Sequence, residues 1–197
     1  MATGVFMPFR VLLHRSVLSG RALSAMMPAL FEELDMPELL QLAEQLGDTL
    51  QRRGWKVAVA ESCTGGWVAK CLTDIAGSSG WFDRGFVTYS NAAKRDMLGV
   101  SAGTLDTHGA VSEPTVLAMS AGALARSEAD VALAISGIAG PGGAVPGKPV
   151  GTVCFAWAVK DVLQQSDTQH FCGDREAVRQ QSVAHGLRGL INVLKRD

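Results

Sequence analysis

Two polar turns and a lysine mark where this chain has the residues to do chemistry. The stretch from Val57 to Lys94 holds Glu61-Ser62-Cys63-Thr64-Gly65-Gly66, then Gly77-Ser78-Ser79-Gly80, then Tyr89 and Lys94. Tyr89 is the only tyrosine of the chain. Glycines among hydroxyl-bearing residues let a ligand approach the backbone closely. A strand that ends in such a turn and enters a helix also collects unpaired backbone N–H groups, and the helix dipole adds to their pull on an anion. Thr64 is the expected N-cap of that helix, with Gly65 and Gly66 as the positions of close approach. A lysine nearby directs the pattern towards an anionic substrate. Glycine and serine also dominate ordinary turns, so one such turn alone carries little weight. Cys63 sits in the first turn, where a helix N-terminus lowers a thiol pKa; it is either a reactive thiolate or a packed small side chain.

The elements that must position these residues follow from pattern. Leu39, Leu42, Ala43, Leu46 and Leu50 form a helical stripe, with Pro37 in the first turn and Gly54 after the last. Val57 to Ala60 suits a strand buried on both faces, and Trp67 to Ile75 a helix. Gly85 to Tyr89 reads as a second strand and Asn91 to Leu98 as a helix stopped by Gly99. Lys94 then lies one turn into a helix that follows Tyr89. Thr104 to Val111 reads as a connection. Ser112 caps a helix that runs to about Ser127, with Pro114 inside its start. Asp130 to Ile135 is a third buried strand, and it ends in a third glycine-rich turn that opens with Ser136 and Gly137. Open α/β sheets bind ligands at the carboxyl ends of their strands, and all three turns are expected on that edge. Gly151 to Val159 is a fourth strand and Gln165 to Phe171 a fifth, antiparallel to it. Asp174 caps the last helix. Arg175 places a cation in its first turn, where the dipole disfavours it. That position makes sense if Arg175 meets an anionic ligand, or if it pairs with Asp174 or Glu176.

Size and composition narrow the class. A chain of 197 residues with formal net charge −1 fits one globular domain and offers no basic excess for nucleic acid. No apolar run approaches the roughly 18 residues that span a bilayer. Cys63, Cys71, Cys154 and Cys172 form no CxxC pair, which argues against structural zinc and for reduced thiols in the cytoplasm. Cys71, Cys154 and Cys172 read as core residues. Residues 1–34 stand apart as an N-terminal extension: Met1 to Leu30 carries Arg10, His14, Arg15 and Arg21 but no acidic residue. It has the composition of a weak targeting peptide or of a segment upstream of the true start, at Met27 or Met36; the second reading is preferred. The domain occupies residues 35–197.

The motifs ESCTGG, TDIAGSSGWFDRGFVTYSNAAK, GAVSEP, SGIAGPGG, KPVGTV and GDR, in this order, resemble the CinA C-terminal domain family, and within it the stand-alone members that deamidate nicotinamide nucleotides. The resemblance runs from Pro37 to the C-terminus. It implies an α/β fold, a three-layer α/β/α sandwich with a mixed sheet, and hydrolysis of the carboxamide of nicotinamide mononucleotide to nicotinate mononucleotide and ammonia, with no metal or cofactor. It implies Ser79 as nucleophile and Lys94 as general base, supported by Tyr89. Ser62, Ser136 and Arg175 match other family site positions, although Arg179 lies one turn from Arg175. The glycine-rich turns, with Thr64, Gly65, Gly66 and Gly137, would hold the phosphate and the oxyanion. A homo-oligomer is expected, without nucleic acid or membrane partners. The chemistry is coherent, since a serine needs a base and a lysine serves as one only when burial or nearby positive charge lowers its pKa from about 10.4. The alternatives are attack by a Cys63 thiolate and a non-catalytic nucleotide-binding module.

Overall fold

The computed structural model describes residues 36–195; the expected N-terminal extension lies outside them. Helix α1 (Met36–Arg53) leads into β1 (Val57–Glu61), and Gly54 between them takes φ +65°. Next come α2 (Trp67–Thr73), a single 3₁₀ turn at Ser78–Gly80, and β2 (Phe82–Val87). Three helices follow: α3 (Asn91–Leu98), α4 (Ala102–His108) and α5 (Glu113–Ala125). The chain closes with β3 (Val131–Gly137), β4 (Thr152–Val159), β5 (Leu163–His170) and α6 (Arg175–Leu194).

The strands make one mixed sheet in the order β2-β1-β3-β4-β5. β1, β2 and β3 run parallel, and β4 is antiparallel to both β3 and β5. β1, β3 and β4 are buried along nearly their whole length, as their unbroken apolar runs require. Side chains alternate between two cores. Val57, Val59, Leu133, Ile135, Phe155 and Trp157 face α1, α2 and α6. Ala58, Ala60, Ala132, Ala134 and Ala156 face α3, α4 and α5. Alanine on that second face lets the Ala- and Gly-rich α5 come close; a Cβ on Gly122 would stand 2.0 Å from the Leu98 carbonyl oxygen. The result is the expected three-layer α/β/α sandwich.

Away from the first turn, local expectations differ from the structure in these places. β2 starts at Phe82 rather than Gly85, because Phe82 and Arg84 already pair with β1. The expected connection at Thr104 to Val111 contains α4, with the Ser101 side chain accepting from Thr104 N–H at its start. Cys172 is exposed, while Cys71 and Cys154 are buried. The Gly77–Gly80 turn precedes β2 and so lies at the amino edge of the parallel strands, opposite the edge that carries the other two turns. Among the described residues no helix is long and apolar enough to cross a membrane.

Candidate active site

The carboxyl ends of β1 and β2 lie side by side, with Glu61 opposite Val87. The next residues on each strand, Ser62 and Thr88, therefore sit together at the sheet edge. Thr88 N–H donates to the Glu61 carbonyl at 2.8 Å. Ser90 then caps α3, its hydroxyl accepting from Ala93 N–H, and one turn later Lys94 returns over the strand ends. Its amine reaches the Thr88 carbonyl at 2.8 Å and lies 3.1 Å from Ser62 Oγ. Lys94 is 1% exposed. Burial pushes its pKa below the ordinary lysine value, against a lesser opposing effect from the Cys63 thiol. Among the described residues no carboxylate forms an ion pair with it. Burial shifts a lysine towards its neutral form, and the lone pair of that form can accept the Ser62 proton.

A cavity of about 220 Å³ opens on this pair, lined by Ser62, Cys63, Tyr89, Lys94, Ala110, Val111, Ser136, Gly137, Ala139 and Arg175. Ser136 donates its hydroxyl to the Ala110 carbonyl at 2.7 Å. Arg175 donates to the Gly140 carbonyl at 2.7 Å and to Tyr89 Oη at 2.9 Å. It thereby joins the third glycine turn to the exposed tyrosine. Asp174 is occupied as the cap of α6, accepting from Ala177 N–H, which leaves the Arg175 guanidinium to the cavity.

The first turn is built differently from its sequence expectation. Thr64 does not cap α2: the N-cap is Gly66, without a side-chain bond, and Thr64 Oγ1 is buried without a partner among the described residues. The cap is Glu61, whose carboxylate accepts from Gly66 N–H at 3.0 Å, Val68 N–H at 3.1 Å and Ala69 N–H at 2.8 Å. Glu61 is 1% exposed. The anion site at this helix N-terminus is thus filled by the chain's own side chain. Gly65 and Gly66 border a separate hollow with Trp67, Lys70 and Arg179. Arg179 is a structural clamp, donating to the Cys63 and Thr64 carbonyls at 3.1 and 2.7 Å and stacking over the Trp67 ring.

The structure therefore brings Ser62, Tyr89, Lys94, Ser136, Gly137 and Arg175 into one cavity. It does not bring Thr64, Gly65 or Gly66 there, nor Ser79. Ser79 is exposed in the 3₁₀ turn before β2, whereas Lys94 bonds the residue after β2. A six-residue strand, about 20 Å at about 3.3 Å per residue, separates them. Cys63 lines the cavity, but burial pushes its thiol up to about 12, which keeps it protonated. Sequence reasoning missed Thr88 as the carbonyl that holds Lys94 and Glu61 as the cap. The signal for Glu61 was an acidic residue at a buried strand end, directly before a helix start.

A profile of the CinA C-terminal domain matches residues 39–194. The chain is 58% identical over 153 residues to the nicotinamide-nucleotide amidohydrolase PncC of Escherichia coli K12, covering 78% of this chain and 93% of that protein. It is 48% identical to the Pseudomonas putida protein of the same name, over 80% of this chain and 98% of that one. The crystal structure of the competence/damage inducible protein CihA from Agrobacterium tumefaciens superposes with a TM-score of 0.78 at 46% identity, covering 80% of this chain and 96% of that one. The chain belongs to the CinA C-terminal domain family.

Proposed function

We propose that the chain is a cytoplasmic nicotinamide-nucleotide amidohydrolase that converts nicotinamide mononucleotide to nicotinate mononucleotide and ammonia through a Ser62–Lys94 dyad. The observation that carries the mechanism is the 3.1 Å approach of Lys94 Nζ to Ser62 Oγ in a cavity with no carboxylate among the described residues that line it. Neutral Lys94 takes the Ser62 proton as Oγ attacks the carboxamide carbon. The tetrahedral oxyanion forms beside the N–H groups of Cys63 and Thr64, which among the described residues enter no backbone–backbone hydrogen bond; donors just after a nucleophile at a strand–helix turn suit this task. Collapse breaks the C–N bond, Lys94 returns the proton, and ammonia leaves. Water then attacks the Ser62 ester with Lys94 again as base, and the acid is released.

The substrate reading explains two further features. The nicotinamide ring of the mononucleotide is a pyridinium cation, which an ammonium at Lys94 would repel and a neutral amine does not. Tyr89 is 62% exposed at the mouth, and a ring face there attracts such a cation. Ser79, remote from Lys94, has no part in this mechanism.

Ammonia release from nicotinamide mononucleotide tests the reading. Ser62→Ala and Lys94→Met should each lose at least about 10²–10⁴-fold in kcat, while Ser79→Ala should retain wild-type rates. Undiminished turnover by Ser62→Ala would remove Ser62 as nucleophile.

A further inference from the structure

A mononucleotide substrate brings a phosphate that needs a seat, and this inference rests on that substrate reading. The usual seat, the helix N-terminus after a glycine turn, is taken: three N-terminal N–H groups of α2 already bind the Glu61 carboxylate. The cavity at Ser62 is about 220 Å³, below the roughly 300–1,000 Å³ of pockets that enclose whole small molecules. It has room for the ring and its amide, and the ribose phosphate must lie at the mouth.

Two cations are placed to meet it. Arg175 lines the cavity, tied to Gly140 and Tyr89. Lys148 reaches from the β3–β4 loop to the end of α4 and the connection that follows it, behind the lining residue Val111. Its ammonium donates to the His108 carbonyl at 3.0 Å and to the Val111 carbonyl at 2.7 Å. Val111 and Ala110 are cavity wall. An ammonium has three N–H donors, and these two bonds leave the third for a ligand. Among the described residues neither Lys148 nor Arg175 has a carboxylate at ion-pair distance. Two positive charges, one lining the cavity and one fastened to its wall, with no acidic lining among the described residues, favour a dianionic group.

We propose that Lys148 is a specificity-determining residue that, together with Arg175, binds the phosphate of a pyridine mononucleotide and so separates mononucleotides from the corresponding nucleosides. The loop carrying Lys148 thereby both fastens the Ala110–Val111 wall and reads the substrate's charged end.

Binding to the Ser62→Ala protein isolates this role from turnover. Calorimetric titration with nicotinamide mononucleotide and with nicotinamide riboside would be run with and without a second change, Lys148→Met or Lys148→Arg. Lys148→Met should weaken mononucleotide binding about 10–100-fold, the loss of one charge-assisted contact, and leave riboside binding within about twofold. Lys148→Arg, which keeps the charge, should retain most of the affinity. Thermal melts identify a variant that has failed to fold, and the arginine variant then carries the comparison. Equal loss on both ligands would reduce Lys148 to a fastener of the wall and overturn the proposal. So would unchanged mononucleotide affinity, or a Ser62→Ala protein that binds mononucleotide no more tightly than riboside. Failure of the hydrolase reading appears separately, as absent ammonia release by the wild-type protein.

Discussion

Replacing Glu61 and Thr64 in turn tests which of them terminates α2. The Glu61 carboxylate is 1% exposed and accepts three N–H bonds of 2.8–3.1 Å. Hydrogen bonds to a charged group contribute about 1.5–3 kcal/mol each, so three sum to about 5–9 kcal/mol. The cost of burying the carboxylate offsets part of that. A net loss of about 3–5 kcal/mol is expected for Glu61→Ala, which leaves three orphan donors in the interior. That is a large part of the roughly 5–15 kcal/mol that holds a domain folded. Glu61→Gln keeps one accepting oxygen but turns an amide donor on the remaining N–H groups, and about 2–3 kcal/mol is expected. Thr64→Val should do the reverse of what a cap residue does. Its hydroxyl is buried without a partner, so removing it should leave stability within about 1 kcal/mol or raise it. A true threonine cap would lose about 0.5–2 kcal/mol on truncation. Urea unfolding followed by far-UV circular dichroism measures both, with unchanged m-values as the check on two-state behaviour. A Glu61→Ala loss under about 1 kcal/mol, or a Thr64→Val loss above about 1.5 kcal/mol, would refute the assignment.

Three further outcomes follow from the geometry. The folded pKa of Lys94 is depressed by burial while the unfolded one stays near 10.4, so between the two the unfolded chain binds more protons. Wild-type stability should therefore rise with pH through that window, relative to Lys94→Met, and the two pH–stability curves should run parallel below it and above it; parallel curves throughout would contradict a depressed lysine. kcat/KM should fall towards low pH as the same amine takes up its proton. Cys63, held protonated by burial, should be dispensable: Cys63→Ala should keep activity within a few-fold, and mass spectrometry after brief alkylation should find the label on exposed Cys172. Gly122→Ala would push a Cβ to 2.0 Å from the Leu98 carbonyl oxygen, and about 1–3 kcal/mol of destabilisation is expected from such overpacking. The melting temperature should fall, as measured by thermal unfolding.

Much of the architecture was legible because it is written in short-range pattern. The stripe from Leu39 to Leu50, the run VALAI, the stop at Gly99 and the caps Ser112 and Asp174 place α1, β3, α3, α5 and the start of α6 within a residue or two of their observed bounds. Helix α4 was not legible: AGTLDTH has one buried apolar residue, Leu105, too little to create a stripe. Arg175 could be suspected from its unfavourable place at a helix start, and only the bonds to Tyr89 and Gly140 separate it from Arg179. The capping role of Glu61 escaped because Thr64 has the residue type of a cap. Position decided the matter: the end of β1 aims the Glu61 carboxylate along the axis of α2, while the Thr64 hydroxyl turns inward.

The separation of Ser62 from Ser79 follows from topology, and elements already visible in the sequence contain it. In a strand–helix–strand unit with parallel strands, the turn leaving the first strand and the turn entering the second lie at opposite ends of the sheet. Glu61 to Gly66 leaves β1, and Gly77 to Gly80 enters β2. Lys94 follows the exit of β2, so only the first turn can reach it. What fixes the reach is pairing register. Glu61 opposite Val87 sets Ser62 beside Thr88, and the Thr88 carbonyl sets the amine 3.1 Å from the hydroxyl. The irregularity in that pairing falls between Val57 and Ala58, at the far end. The four pairs from Ala58 to Glu61 that lead to the site are regular, which aligns Ser62 and Lys94 through backbone hydrogen bonds before either side chain chooses a rotamer.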